Sequence, residues 1–122
     1  MSKRYEPFTW YADYTFYRGD TFCGSAVRVK SCGETLLLGE SGVLTLGVFR
    51  GEEKLLVRSF AADAQDEEGF IGWGLLPEET AALAPGVCGY ELELCLDPQR
   101  VYTVAAGALF IKPDRVTEEV RV

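Results

Sequence analysis

The chain has 122 residues, room for one domain, and a compact fold of that size buries roughly two-thirds of its unfolded surface, enough for a core without staples. Twelve cationic against 19 anionic residues leave a charge of −7, and 48% of the residues are apolar; this excludes a disordered chain and argues against a nucleic-acid binder, which needs a basic stripe. There is no histidine, so a Ser-His-Asp triad, a Cys-His pair and a His-ligated zinc site are excluded, and any acid–base work would fall to carboxylates, Lys, Tyr or Cys.

The N-terminus starts basic at Lys3 and Arg4, but Glu6 and Pro7 stand where a signal peptide would have its apolar run, so no secretion signal is expected. From there, period two dominates. Phe8, Trp10, Tyr14 and Phe16 alternate with Thr9, Tyr11, Asp13 and Thr15, an aromatic and β-branched pattern that favours one extended strand. Gly19-Asp20 makes a turn or kink. Over residues 23–30 the odd positions Cys23, Val27 and Val29 are expected inward, with Arg28 and Lys30 outward. Residues 36–38 form a short apolar run. Residues 43–50 read as a strand with Leu44, Leu46 and Val48 on one face, and Gly51 turns the chain into a partner strand over residues 54–60. Residues 61–68 form an acidic loop.

Ile71, Trp73 and Leu75 mark one face of the next strand, with Gly72 and Gly74 on the other, where something packs close to the backbone. Residues 76–83 are the only helix-like segment, with Pro77 near the first helical position and Glu78 and Glu79 in the first turn, where acids suit the helix dipole. Residues 86–97 are the cleanest strand: Cys88, Tyr90, Leu92, Leu94 and Leu96 alternate with Val87, Gly89, Glu91, Glu93 and Cys95. Asp97-Pro98 opens a type I turn, and residues 101–111 return antiparallel, with Gly107 as a bulge or bend. That returning stretch is the longest uncharged apolar run and is too short for a membrane helix, which needs about 20 residues. Residues 116–122 are a further strand or a frayed tail. Trp73, Tyr90, Leu92 and Leu94 are the expected core.

Seven or eight short strands with turn signals between them indicate an antiparallel sandwich or barrel filling the whole chain as one domain, with residues 1–12 as a possible N-terminal arm. Cys88 and Cys95 are seven apart on one strand and so face opposite ways, and Cys23 and Cys32 do the same if their strand is unbroken. Reduced thiols used as small hydrophobes are the expectation, with neither a disulfide nor a metal site.

Several turn motifs resemble a known family. Tyr17-Arg18-Gly19-Asp20-Thr21-Phe22 after an aromatic strand is similar to the opening of the immunoglobulin-like N-terminal domain of phage baseplate upper proteins. Leu76-Pro77-Glu78-Glu79-Thr80, Leu83-Ala84-Pro85-Gly86, Tyr90-Glu91-Leu92 and Val101-Tyr102-Thr103 with Gly107 resemble later stretches of it, so the likeness runs from about Tyr14 to Asp114. The family pattern would place an aromatic two residues after Gly86, where this chain has Cys88, which leaves open whether Tyr90 makes a tyrosine corner.

The resemblance implies an immunoglobulin-like β-sandwich with one short helical turn. It also implies a non-enzymatic structural or adaptor module of a phage or prophage tail or baseplate, a virion component assembled in the host cytoplasm. Such a module would dock to other tail or baseplate subunits and work as a homo-oligomer, with no nucleic acid, membrane, metal or cofactor as partner.

Four candidate sites stand out beside this reading. Arg18-Gly19-Asp20 matches an integrin-read tripeptide, but a strand-to-strand turn explains it better. Asp63, Asp66, Glu67 and Glu68 could hold a cation with oxygen ligands, but match no EF-hand spacing and suit a solvated loop. Glu91 and Glu93 lie about 7 Å apart along one strand face, a spacing that glycoside-cleaving carboxylates share with any solvated strand. The N-terminal aromatics would anchor a protein interface, with Phe8, Trp10 and Tyr11 as the partner-binding residues. The alternative is a carbohydrate-binding sandwich whose aromatics stack on sugars, and a third option is a small carboxylate-based hydrolase.

Overall fold

The computed structural model describes residues 9–114. Phe8, most of the expected arm and the expected strand or tail at residues 116–122 lie outside the described residues. The molecule is an all-β sandwich. Its main sheet is built from two hairpins and the N-terminal strands. The first hairpin pairs β6 (Val43–Arg50) with β7 (Glu53–Phe60) across Gly51, whose φ of +64° is free only to glycine. The second pairs β9 (Gly86–Asp97) with β10 (Arg100–Lys112), and the Asp97 carboxylate closes its turn by accepting the Gln99 amide at 2.9 Å and Arg100 Nε at 2.8 Å. The N-terminal β1 (Trp10–Tyr11) and β2 (Tyr14–Tyr17) both lie along β10, so the sheet order is β1-β10-β9-β6-β7 with β2 continuing beside β10.

A second layer of short ladders covers one face of this sheet. β3 (Phe22–Cys23) pairs with β8 (Gly74–Leu75), Val27 pairs with Ile71, and β4 (Lys30–Ser31) pairs with β5 (Glu34–Thr35) through a two-residue turn at Cys32-Gly33 with positive φ at both positions. A five-residue helix, α1 (Pro77–Ala81), leads into β9. The expected alternation holds. Leu44, Leu46, Leu92, Leu94 and Leu109 are fully buried between the layers, each contributing about 1.5–3 kcal/mol of apolar burial. Trp73 and Tyr90 stack with ring centroids 5.4 Å apart, and Tyr14, Phe16 and Phe22 extend this into one aromatic cluster. The Trp73 indole donates to the Ser25 carbonyl at 2.6 Å, which satisfies its one polar atom in the core.

Five details differ from the sequence expectations. The terminal strands β1 and β2 run parallel to β10, because side-chain alternation carries no information about strand direction. The N-terminal strand is interrupted at Ala12-Asp13, although both halves keep one register on β10. Cys23 is exposed and Phe22 takes the inward place, so the stretch from residue 23 to 30 is not one strand. Gly74 sits against the Phe22 carbonyl, but Gly72 has open space beyond it. The bulge of β10 falls between Thr103 and Ala105, which turns both Val104 and Ala105 inward, and Gly107 has another purpose.

That purpose is a backbone crossing. A Cβ at Gly107 would overlap the Ala12 carbonyl oxygen, which is held there by the Tyr90 phenol at 2.7 Å. Asp13 Oδ1 then accepts the Ala108 amide at 2.9 Å, replacing the ladder bond lost at the interruption. Tyr90 therefore pins a strand 78 residues upstream, not its own local corner. Burial, with Tyr14 and the Asp13 charge adding to it, raises the phenol pKa far above its ordinary value, so Tyr90 stays a neutral donor.

Candidate functional site

The outer face of the main sheet is the first candidate. Register places Ala108 beside Gly89 there, and sets Ala106 and Gly47 on either side of Glu91, so small residues of β6, β9 and β10 form much of its floor. Around that floor stand Tyr11, Tyr17, Val57, Val87, Val101 and Phe110, six of the nine large apolar side chains exposed among the described residues. Tyr11 is 73% exposed and pairs in register with Ala106. The Phe49 ring lies over Gly47, which has no Cβ to lift it, and borders a shallow groove of about 450 Å³ above Gly89 and Gly107. Exposed apolar side chains gathered on one face, here interspersed with Glu91, Glu93 and Thr45, are a feature of interaction sites in folded proteins.

Glu91 and Glu93 both point out of this face, as their parity requires. They line a dent of about 130 Å³ with Thr45, Gly47, Phe49, Lys54 and Val57. The two carboxylates stand exposed on the sheet with a lysine beside them, and among the described residues only β6, β7 and β9 line the dent.

The second candidate is at the sheet edge. Trp10 is adjacent to Tyr11 in β1 but pairs with the inward-facing Ala105, so its indole turns to the opposite side of the sheet. There it lines a groove of about 540 Å³ with Ala26, Val27, Arg28, Val29, Lys30, Phe70 and Val104. The Arg28 guanidinium lies over the Phe70 ring at 4.4 Å. The predicted partner-binding trio is thus divided: Tyr11 belongs to the outer face, Trp10 to this groove, and Phe8 lies outside the described residues. Arg28, Lys30 and Phe70 carried no signal as a set in the sequence, since residues 10, 28, 70 and 104 meet only through the fold.

Arg18-Gly19-Asp20 is built into the scaffold as a turn. Gly19 has φ of +90° and its amide donates to Thr80 Oγ1 at 2.9 Å, while the Thr80 hydroxyl donates to the Asp20 carbonyl at 2.8 Å. Arg18 Nε donates to the Leu83 carbonyl at 2.9 Å, just past the end of α1, so its guanidinium is committed to the fold. In the acidic loop, Asp66 Oδ1 accepts the Glu68 and Phe70 amides, both at 2.9 Å, which shapes the loop and positions the Phe70 ring. Among the described residues no group of three or more Cys, Asp or Glu side chains is arranged to hold a metal ion. All four cysteines are free thiols, with Cys88 buried and Cys23 and Cys32 exposed. No helix among the described residues is long and apolar enough to cross a membrane.

No protein-family model matches the chain, and no curated protein is detectably similar to it in sequence.

Proposed function

We propose that the chain is a non-enzymatic assembly module, and that its outer sheet face docks a second copy of itself or a neighbouring subunit of a phage or prophage tail or baseplate. The observation that carries the docking role is the grouping of six exposed apolar side chains, Tyr11, Tyr17 and Phe110 among them, on one sheet face over a floor of glycine and alanine. Small floor residues let a partner's side chains reach the sheet, and aromatic rims supply the anchors on which interface energy concentrates. A stable interface needs about 800 Å² per partner. The tail setting is supported by the motif resemblance alone, in particular the Arg18-Gly19-Asp20 turn and the Pro77-Glu78-Glu79-Thr80 segment, which the fold uses together as one clip. A non-catalytic role is supported by the open placement of Glu91 and Glu93.

Multi-angle light scattering of the full chain tests this reading. The wild type runs as an oligomer at micromolar concentration, and Tyr11→Ala with Phe110→Ser shifts it to the monomer mass without loss of folded structure. A chain that is monomeric at about 100 μM, or whose mass ignores both these substitutions and removal of residues 5–11, overturns self-docking.

A further inference from the structure

We propose that the groove between β1 and residues 26–30 binds an acidic saccharide, with a sugar ring against the Trp10 indole and its carboxylate drawn to Arg28 and Lys30. The groove is separate from the outer face, and the inference does not depend on assembly.

Four observations carry it. The volume of about 540 Å³ falls in the range of small-ligand sites, roughly 300–1,000 Å³, and suits one or two sugar rings. Trp10 is 42% exposed in the groove, and its indole N–H has no hydrogen-bond partner among the described residues, so both a stacking face and a donor are open to a ligand. The Arg28 guanidinium lies over the Phe70 ring at 4.4 Å, and its one acceptor among the described residues is the Glu68 carbonyl at a long 3.5 Å, so most of its donors are unused there. Lys30 leaves the same side of an extended segment about 7 Å further on, and neither residue forms a salt bridge among the described residues.

Charge selects the ligand. The whole chain carries −7, which repels anions at long range, yet among the described residues the groove lining holds two cations and no carboxylate. A neutral sugar would leave both cations unused. An acidic peptide is the weaker fit: capture of an extended peptide needs a run of free strand-edge amides and carbonyls, and β1 offers only Trp10 and Tyr11.

Fluorescence titration of the full chain with digalacturonate, galactobiose and a hexaglutamate peptide tests the proposal. Trp73 is buried, so a ligand-induced change reports Trp10. Digalacturonate is expected to quench saturably with a Kd between about 0.1 and 5 mM, to lose affinity as salt rises, and to bind at least tenfold more tightly than galactobiose. Arg28→Gln with Lys30→Gln, both surface changes, is expected to abolish that preference while the circular dichroism spectrum is unchanged. Absence of saturation by about 20 mM digalacturonate, equal affinity for galactobiose, tighter binding of hexaglutamate, or indifference to the double substitution each overturns it. Light scattering of the same double variant keeps the two readings apart, since loss of sugar binding with an unchanged oligomer mass leaves self-docking intact.

Discussion

Gly107→Ala puts the crossing between β1-β2 and β10 under direct test. Gly107 has no unusual φ, so the backbone itself accepts alanine, and at an open strand position the exchange would stabilise by about 0.5–1 kcal/mol. The added methyl, however, would overlap the Ala12 carbonyl oxygen, which is backbone and cannot rotate away. The N-terminal strand must lift. Lifting it breaks the Tyr90 phenol bond at 2.7 Å and strains the Ala12 amide bond to Ala106 at 3.1 Å and the Asp13 bond to Ala108 at 2.9 Å. At about 1 kcal/mol for each neutral bond and somewhat more for the carboxylate, the loss is about 3–4 kcal/mol, and the backbone gain offsets at most about a third of it. Urea denaturation should therefore show a net destabilisation of about 2–3 kcal/mol, equivalent to roughly 8–12 °C in Tm. In a Tyr90→Phe background the phenol bond is already gone, so the same substitution should cost about 1 kcal/mol less. Gly72→Ala is the control: with nothing within 4 Å of the new methyl, it should be neutral or slightly stabilising. A Gly107→Ala variant as stable as the wild type would refute the crossing as described.

Thr80→Val removes the fully buried hydroxyl that serves Gly19 and Asp20; with shape kept and two backbone groups left unpaired, it should cost about 2–4 kcal/mol by denaturant titration, while Thr80→Ser costs about 1 kcal/mol or less. Tyr90 makes stability fall at alkaline pH: its folded pKa is raised above the ordinary 10.0, so its contribution is complete below pH 10 and is lost above it as the unfolded chain ionises first. The slope of stability against pH above 10 should be shallower in Tyr90→Phe than in the wild type. Asp97 works in the opposite direction: its bonds to Arg100 and to the Gln99 amide hold its pKa below the usual carboxylate range, so whatever it contributes is present near neutrality and fades as acid protonates it, an effect Asp97→Asn should remove. Thiol titration with an aromatic disulfide under native conditions should label Cys23 and Cys32 quickly and Cys88 only on unfolding; rapid labelling of Cys88 would contradict its place in the core.

Local rules made much of the body legible. Alternation at Leu44-Leu46-Val48 and Tyr90-Leu92-Leu94 identified both strands and the face each buries, because a pleated strand sends successive side chains to opposite sides. Gly51 and Asp97 marked the hairpins through a positive φ and an Asx turn, and Pro77 with two following acids marked the short helix. Tertiary structure decided what periodicity cannot encode. It set the parallel direction of β1 and β2 along β10, and it placed the bulge at Val104, so that Gly107 accommodates a carbonyl. It also sent the neighbouring side chains of Trp10 and Tyr11 to different surfaces: one toward Arg28 and Phe70, residues distant in sequence, the other onto a face shared by six strands. Each strand carries its own inside and outside, but which strands lie together, and so which exposed residues become neighbours, follows from pairing across long sequence separations.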